Sequence, residues 1–567
     1  MCKLLKNVNR KNIGSFMLNW LVILPPLLLL ITAFLSRNII LSVLIGIASA
    51  AIIGAQFSIT GTIDLLYIYL KKQFIDPDFF YIYGFLFILG SLIALINYTG
   101  GSCAFGNIIT KKLKNARKTE STSLLLSLLL CFDDYLSTLT MGCLMQPLTD
   151  KFKIPRAKLA YLIDVMASPM VVLLPISTWL AIILKDLKIS GVTLGFSKFV
   201  HHQIKFPGGT FNFGHDIIVR ADPFFTYLKA IPFIFYSFIL IFSAFFIVRK
   251  KISYGPMAEQ EKIALETGNL YGGKEPRFKV IKHHKSNKNV YLSDFLAPII
   301  TLIFSALIAI LYTGGFYLLG GTKTLLESLM SSASIFKALF FASVIAFTVG
   351  IILALIRKKL TVFNIPLFIA RGVHLMYPSA IIIFCAILFG SILDDKLYTG
   401  QYIAHLILPY INLNWLPFIV FIMTVLVALG TGSSWGTLAI MFPISIPMIS
   451  SLAGFMHPVM LKEVYILLPT IGAVISGSLA GVQLSPISDP VTMSSTSSGA
   501  YQLDHVKTQM WYILPAIIGS GVSFIAAGFL TINGSTLNGI ICMLIGLATS
   551  ISLIYTANKL YPLLKKK

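Results

Sequence analysis

The chain has 567 residues, of which 56% are hydrophobic and 12% are charged, and its mean hydropathy is +0.84. Soluble domains average about 25% charged residues, so this composition cannot coat water-soluble globules and indicates a membrane protein. Lys and Arg number 45 against 22 Asp and Glu, which gives a formal net charge of +23. The basic residues form short clusters between apolar runs, without interleaved aromatic residues. This pattern is typical of cytoplasmic loops and argues against nucleic-acid binding.

The first apolar run, at residues 16–35, follows a basic N-terminal segment. It is too long for the core of a signal peptide and has no small-residue cleavage site, so it predicts a first transmembrane helix with a cytoplasmic N-terminus. Long apolar stretches then recur as far as residue 558, and several contain Gly, Pro or Asp. We expect an all-α polytopic membrane protein with about 11–13 transmembrane helices, some of them broken or re-entrant.

A polar, strongly basic segment at residues 249–293 separates two apolar halves. Its charge predicts a cytoplasmic linker. The predicted organisation is as follows: N-terminal transmembrane helices (1–75), a first transport repeat (76–248), the basic cytoplasmic linker (249–293), a second transport repeat (294–515), and C-terminal transmembrane helices with a basic tail (516–567).

The two halves resemble each other at several points in the same order. GSLIALINYTG at residues 90–100 corresponds to GSILDDKLYTG at residues 390–400, and the same offset places Asp133-Asp134 opposite Ser433-Ser434. With a small insertion, LLPIST (173–178) corresponds to LSPISD (484–489). Basic clusters predict that the matched helices run in opposite directions, so we expect two inverted repeats.

The segment at residues 123–145 has basic clusters on both sides, so both of its ends favour the cytoplasm. It is too short to cross twice at about 20 residues per crossing. We therefore expect a re-entrant or interrupted helix with its break near Asp133 to Gly142, surrounded by protein or by a water-filled cavity.

Four acidic residues lie within apolar stretches: Asp133, Asp134, Asp164 and Asp489. An acid in the middle of a membrane costs on the order of 3 kcal/mol, and carboxylate oxygens suit hard cations and protons. These residues are therefore candidates for an ion- or proton-binding site. A structural role near an interface is the alternative reading.

Two hydroxyl-rich segments interrupt the apolar runs of the second half: TGSSWGT at residues 431–437 and SPISDPVTMSSTSSG at residues 485–499. Because Pro490 disfavours helical geometry at Asp489, we expect the second segment to be extended and to offer carbonyl and hydroxyl oxygens. Hydroxyl-rich loops at the membrane surface remain the alternative for both.

Other classes of site lack support in the sequence. No nucleotide-binding loop, nucleophile elbow or zinc-protease motif occurs, so we expect no cofactor and no structural metal. His201, His202 and His215 are interpreted as solvated loop residues and the six cysteines as apolar packing residues. An intramembrane aspartyl enzyme is disfavoured because such dyads take their acids from two helices; a passive channel stays open as an alternative.

Several of these segments together resemble a known family. CFDDYLSTLTMG (131–142), ALGTGSSWGTLAIMFPISIP (428–447) and LSPISDPVTMSSTSSGAYQLDHVKTQ (484–509) are similar to NhaC-type sodium/proton antiporters of the ion transporter superfamily. The resemblance extends in colinear order over about residues 80–515. It implies a multi-pass protein of a prokaryotic inner membrane that exchanges sodium for protons by alternating access.

The resemblance also implies roles for individual residues. Asp133 and Asp134 would be the proton and cation carboxylates, with Thr149, Asp150 and Asp164 in support. The transported sodium ion would take oxygen ligands from the hydroxyl-rich segments, namely Ser177, Thr178, Ser433, Ser434, Thr437, Ser485, Ser488, Asp489 and Thr492.

One departure from the family pattern affects the expected substrate. Val482-Gln483 stands where the family usually has a polar pair before the Ser-Pro-Ile-Ser-Asp sequence. The alternative function is therefore sodium- or proton-coupled exchange of an organic anion, of the malate/lactate or short-chain acid type, with Arg371 or His374 pairing with the substrate carboxylate. The expected partners are sodium ions, protons and membrane lipid, with no nucleic acid; self-association into a homo-oligomer is left open.

Overall fold

The computed structural model describes most of the chain. The described residues are 20–36, 39–101, 115–128, 134–175, 177–193, 201–206, 209–214, 219–275, 291–325, 328, 335–397, 399, 402, 412–453, 459–486, 488–530 and 536–564. Asp133 and His215 lie outside these residues.

The first part of the chain, as far as a helix inside the basic linker, is helical apart from short strands in its described residues. Its helices are α1 (Leu24–Ser36), α2 (Ile39–Gly54), α3 (Ile59–Ile75), α4 (Pro77–Tyr98), α5 (Ala116–Leu128), α6 (Asp134–Lys151), α7 (Arg156–Asp164), α8 (Ala167–Val171), α9 (Thr178–Ile189), α10 (Pro223–Ala230), α11 (Phe235–Lys250) and α12 (Gly255–Thr267). Strands β1 (His201–Phe206) and β2 (Gly209–Gly214) form an antiparallel pair that contains His201 and His202.

The second part has the same character. Its helices are α13 (Ser293–Thr313), α14 (Ile335–Ile356), α15 (Ile365–Ile392), α16 (Leu416–Thr431), α17 (Ser434–Ala453), α18 (Leu467–Leu484), α19 (Asp489–Ser498), α20 (Gln502–Leu530) and α21 (Thr536–Leu564). Strand β3 (Val219–Arg220) pairs in parallel with β4 (Val459–Met460) and thereby joins the two parts.

The expected fold class is confirmed. Within the described ranges, seven helices are long and apolar enough to cross a membrane, or up to nine if each of two bent pairs counts as one crossing. One pair, Ile40–Gly54 with Ile59–Ile75, is bent by 119°, and the other, Pro223–Phe233 with Phe235–Thr267, by 42°. Broken or re-entrant helices are thus present, whereas the count of 11–13 crossings and the inverted direction of the repeats stay predictions.

Two expectations about broken segments have different outcomes. Residues 134–142 are continuous helix within α6, but Asp133 lies outside the described residues, so the break expected near Asp133 to Gly142 stays a prediction at its Asp133 end. The segment expected to be extended is helix α19 from Asp489 to Ser498. Pro490 lies in the first turn of this helix, where its missing N–H removes no intrahelical hydrogen bond, and Ser485 and the N-cap residue Ser488 are the residues with extended backbone that precede it among those described.

Helix α18 is almost completely buried in the bundle. Its 18 residues are 94% buried, and it packs against α16, α17 and α20. The short helix α19 lies against α6, α7 and α20, and α9 lies against α17. This packing brings the N-termini of helices from both parts of the chain to one place inside the bundle.

Candidate functional site

A buried cavity lies where four helices begin. Asp134 is the first residue of α6, Ser434 of α17 and Asp489 of α19, and all three line the cavity. Trp179, the second residue of α9, lines it as well. The cavity volume is about 30 Å³, which is room for about two water molecules or one partly hydrated ion.

Asp134 is the deepest carboxylate of the cavity. Only 6% of this residue is exposed. One carboxylate oxygen, Oδ2, accepts hydrogen bonds from Ser168 Oγ at 3.1 Å and from Trp179 Nε1 at 3.3 Å. Its position in the first turn of α6 also favours the charged form, because a helix N-terminus carries a partial positive charge.

Asp489 stands at the open side of the same cavity. Unlike Asp134, it is exposed, and so are Thr492 and Thr496 farther along α19. Residues spaced three and seven positions after Asp489 share its helix face. This face is therefore an exposed polar strip that begins at the cavity and runs along a helix of ten residues, about 15 Å.

The turn between α16 and α17 supplies hydroxyl groups to the cavity wall. Gly432 has a φ of +66°, a left-handed conformation that glycine adopts without strain, and it ends α16. Ser433 Oγ accepts from the N–H of Gly436 at 3.2 Å, and Thr437 Oγ1 donates to Ser433 O at 2.8 Å. Thr437 thus stabilises the turn without lining the cavity, whereas Ser433 and Ser434 line it.

Several of the hydroxyls expected to bind the ion have no hydrogen-bond partner among the described residues. They are Ser177 Oγ, Thr178 Oγ1, Ser434 Oγ and Ser485 Oγ, and all four residues are fully or almost fully buried. Burying an unpaired hydroxyl costs roughly 1–3 kcal/mol. These groups are therefore available to coordinate a cation or bind water. Among them, Ser434 lines the cavity directly.

The charges around the cavity are acidic side chains set against helix N-termini. Two aspartates line it, and none of the described residues that line it is basic. Each of the four N-termini contributes about half a positive charge at most. Two of them already carry an aspartate in the first turn, while α9 and α17 have no acidic residue there. The N-termini thus offset the negative charge of the two carboxylates, whose oxygens can act as ligands for one cation.

The walls of the cavity are held together by a close approach of α6 and α19. A Cβ atom added at Gly142 would lie 2.3 Å from Ser497 Cβ and 2.5 Å from its carbonyl oxygen. At the end of the same helix, Asp150 pairs with Arg156 at 2.6 Å. Arg156 in turn donates to Ser498 O at 2.9 Å. These contacts fix the end of α19 that is remote from Asp489.

Other expected site residues lie away from the cavity. Thr149 donates to the carbonyl groups of Met145 and Gln146 within its own helix, so it and Asp150 stabilise the far end of α6. Asp164, at the end of α7, is not among the cavity-lining residues. Ser488 is the N-cap of α19 and donates to Ser485 O at 3.2 Å. Thr492 donates to Ser488 O at 2.8 Å and accepts from Gln502 Nε2 at 2.7 Å.

The sequence reasoning missed two residues that contact Asp134. Ser168 and Trp179 are the donors to its carboxylate, and Trp179 also packs edge-on against Trp435 with ring centroids 6.2 Å apart. The sequence contains a signal for Trp179: in both halves a tryptophan directly follows the predicted hydroxyl ligands, Trp179 after Ser177-Thr178 and Trp435 after Ser433-Ser434. Within the described ranges, no group of three or more His, Cys, Asp or Glu residues is placed to hold a resident metal ion.

The fold and the cavity together define the class of protein. A polytopic helical membrane protein with broken helices and a buried, acid-lined cavity at helix ends has the architecture of a secondary transporter. Residues 211–529, more than half of the chain, match the model of the Na+/H+ antiporter family. The chain belongs to this family and is an integral membrane protein of the antiporter type, as the sequence motifs predicted.

Two relatives extend this result. An uncharacterized protein of Haemophilus influenzae is 27% identical over 527 residues, which cover 89% of this chain and 90% of that protein. The malate-2H(+)/Na(+)-lactate antiporter of Bacillus subtilis is 30% identical over 139 residues, 23% of this chain and 27% of that protein. The family match contains α17 and α19 but begins after α6 and α9.

Proposed function

We propose that the chain exchanges cytoplasmic Na+ for external H+ by alternating access, with Asp134 and Asp489 as the central carboxylates of one cation site. The observation that carries this proposal is that both aspartates line a single small cavity together with Ser433 and Ser434. Hard cations prefer oxygen ligands, and a cavity with two carboxylates, hydroxyls and no basic lining residue among those described suits Na+.

Exchange follows from competition at these carboxylates. Sodium binding to ionised Asp134 and Asp489 and protonation of the same groups exclude each other, because both occupy the same oxygens. The driving force is adequate, since each charge moved is worth about 2.3 kcal/mol per 100 mV. Asp133, whose neighbour Asp134 begins α6, remains part of the proposed site on the family resemblance alone.

The hydroxyls predicted as ligands fall into two groups in this proposal. Ser434 lines the cavity and lacks a hydrogen-bond partner in the described part of the chain, so it is the strongest hydroxyl ligand. Ser177, Thr178 and Ser485 are buried without such a partner beside helices that line the cavity, and they would complete the coordination as the helices move. Ser433, Thr437, Ser488 and Thr492 shape the turns that position these ligands.

The polar strip of α19 supports a route from the cytoplasm to the cavity. Its remote end contacts Arg156, and the adjoining Tyr501 hydroxyl donates to Glu275 O at 2.9 Å. Arg156 belongs to a basic cluster and Glu275 to the 249–293 linker, which the charge distribution predicts to be cytoplasmic. The exposed Asp489 would then receive sodium from the cytoplasm of a prokaryotic cell.

Organic-anion exchange is the second candidate. It is favoured by the printed name of the Bacillus subtilis relative and by the N-termini of α9 and α17, which carry no acid and can attract a carboxylate. A malate ion has nine heavy atoms, however, and a cavity of about 30 Å³ would have to widen to admit it.

The test uses the purified full-length protein in proteoliposomes that contain a pH-sensitive dye. Addition of Na+ on one side should move protons in the opposite direction, and the Asp134→Asn variant should reduce the initial rate by about 100-fold, equivalent to about 3 kcal/mol. Asp186→Asn is the matched control, since Asp186 is equally buried in α9 but does not line the cavity. Proton movement that requires labelled malate or lactate would support the second candidate and contradict the first.

A further inference from the structure

A second buried polar cluster lies at the end of α7, apart from the cavity. Asp164, the last residue of α7, is 1% exposed, and His505 of α20 is fully buried. His505 Nε2 lies 4.0 Å from Asp164 Oδ2. Gln509, one helical turn farther along α20, donates its side-chain N–H to the same oxygen. A carboxylate and an imidazole are thus enclosed together inside the bundle.

The imidazole of His505 lies between a hydroxyl group and a carboxylate. Its Nε2 atom is 3.1 Å from Ser494 Oγ, and the same hydroxyl is 3.1 Å from Val491 O. The tautomer of the ring sets which of the two groups, Ser494 or His505, donates to the other. In either tautomer Nε2 stands between Ser494 Oγ and the Asp164 carboxylate, where a proton can be held.

Gln483, one of the two residues at the departure from the family pattern, completes the cluster. Its amide nitrogen donates to the main-chain oxygen of Asp164 at 2.8 Å, and its amide oxygen accepts from Tyr236 OH at 2.6 Å. Carbonyl groups at a helix end lack intrahelical partners, so Gln483 caps α7. Gln509 also donates to Gln483 O at 3.1 Å. The side-chain amides of Gln483 and Gln509 position Asp164 without adding a charged group.

The basic side chains of α7 itself are occupied elsewhere. Lys158 pairs with Glu120 of α5 and Glu261 of α12, and Arg156 pairs with Asp150 of α6. The remaining charged or titratable groups on the elements that pack against α7 are Tyr161 of α7 itself, Asp134 and Lys151 of α6, Arg117 and Lys118 of α5, Glu259, Lys262 and Glu266 of α12, Asp489 of α19, and Asp504, Lys507 and Tyr512 of α20, of which Asp504 pairs with Lys274. An ionised Asp164 beside neutral His505 would be a buried charge without a counter-ion, which is costly. One additional proton, held by the acid or by the ring, makes the pair neutral.

The Asp164 cluster is connected to the cavity through two chain segments, α19 and the α7–α8 segment. Ser494 lies on α19, the helix that begins with Asp489 at the cavity. Ser168, four residues after Asp164, lies on α8 and donates to Asp134. Because α7 and α8 are separated by a break at Val165 and Met166, a change in the charge of Asp164 can shift α8 relative to α7.

We propose that Asp164 and His505 form a second proton-binding site, separate from the cation cavity and coupled to it through α8 and α19. The site takes one proton from the aqueous phase and returns one, with no covalent step. This inference rests on the proposed function for its transport role. The binding of the proton itself can be measured without sodium.

The first measurement is infrared difference spectroscopy of the purified full-length protein in lipid, with the pH stepped in the absence of sodium. Asp164→Asn should remove a protonated-carboxyl signal. His505→Leu should shift the midpoint of that signal to higher pH by about one unit, because an apolar side chain replaces the polar ring 4.0 Å from the carboxylate and the charged form becomes less favourable. Asp186→Asn, the buried control outside both clusters, should leave the Asp164 signal in place. A spectrum that Asp164→Asn leaves unchanged would overturn the proposal, whichever ion the protein transports.

The second measurement is the number of protons exchanged per sodium ion, obtained from the membrane potential at which net flux reverses. Asp164→Asn should lower this number by one relative to the wild type, whereas Ser478→Ala, a buried change in α18, should leave it unchanged. An unchanged ratio in Asp164→Asn would contradict a role of the site in coupling. If the wild type exchanges no sodium for protons, the proposed function fails while the infrared result still decides whether this site binds a proton.

Discussion

The two halves of the chain contribute matched helix starts to the cavity, but they place their aspartates differently. In the first half, Asp134 begins α6 and the hydroxyl residues Ser177 and Thr178 lie at the start of α9. In the second half, the hydroxyl residue Ser434 begins α17 and Asp489 begins α19. Each half thus offers one acidic and one hydroxyl-bearing helix start, in opposite order.

The swapped positions of the acidic and hydroxyl residues match the alignment of the two halves predicted from the sequence. The offset that aligns residues 90–100 with 390–400 places Asp134 opposite Ser434, and both are first residues of helices. LLPIST and LSPISD likewise end at Thr178 and Asp489, the first residues of α9 and α19. The correspondence agrees with the internal repeat that the sequence predicts.

The aspartates also differ in their surroundings. Asp134 is buried and receives hydrogen bonds from Ser168 and Trp179, whereas Asp489 is exposed at the start of a polar helix face. A buried carboxylate gains more from a bound cation than a hydrated one does, because water no longer competes for it. The difference therefore predicts unequal consequences when either acid is neutralised.

The largest expected effect separates the two acids. Asp134→Asn should abolish sodium-dependent proton movement, about 100-fold or more, whereas Asp489→Asn should weaken the apparent sodium affinity by roughly tenfold, since 1.4 kcal/mol corresponds to that factor. Initial rates over a range of sodium concentrations in proteoliposomes provide the measurement. Equal losses in the two variants would show that exposure does not distinguish the acids.

The next effect concerns the contact between halves. Gly142→Ala forces a Cβ onto the backbone of Ser497, so α6 and α19 must separate, at an expected cost of about 1–3 kcal/mol in unfolding free energy and with reduced transport. A second glycine substitution, Gly268→Ala, would not serve as the control, because Gly268 has a positive φ that alanine adopts only with strain. The control is Ser520→Ala, a buried change within α20. Unaltered thermal stability and transport in Gly142→Ala would contradict the close packing.

A smaller effect should appear at the hydroxyl of the second half. Ser434→Ala removes a buried oxygen that lines the cavity, and a roughly threefold to tenfold loss of apparent sodium affinity is expected, equivalent to about 1 kcal/mol. Ser478→Ala serves as the control, because its hydroxyl donates to Ile475 O within α18. If both variants bind sodium equally well, Ser434 is not a ligand.

The smallest effect lies outside the cavity, in the ion cluster that joins α5, α7 and α12. Burial raises the pKa of Glu120, and the Lys158 charge opposes this only in part. Because the folded-state pKa is raised, the contribution of Glu120 to stability is greatest at low pH and is lost as the pH rises. Glu120→Gln should therefore raise the melting temperature at pH 8 by roughly 2 °C and have no effect at pH 4. The same change at both pH values would argue against this titration.

The sequence predicted the class of fold and much of the site because both depend on local patterns. Long apolar runs define membrane helices, and an acid or hydroxyl group inside such a run is conspicuous, as at Asp134, Ser434 and Asp489. The pairing of Asp134 with Asp489 required tertiary packing. The helical state of residues 489–498 was mispredicted because a proline can either break a helix or begin one.

The contacts of Asp164 are a second feature that the sequence could not predict. Its position in an apolar run marked it as a candidate, but its partners His505, Gln509 and Gln483 come from remote helices. No local spacing relates these residues, so the sequence could not separate this cluster from the cavity. The contacts, rather than the residue types, divide the candidate acids into two sites.

The most direct test of the central claim, that acids from both halves bind one cation, is a double-mutant cycle on sodium affinity. Sodium dissociation constants are measured calorimetrically for the wild type, Asp134→Asn, Asp489→Asn and the double variant of the full-length protein. The shared site predicts that the effects of the two changes are not additive, with a coupling energy above about 0.5 kcal/mol. Additive effects would mean that Asp134 and Asp489 act independently, and they would contradict a single site built by the two halves.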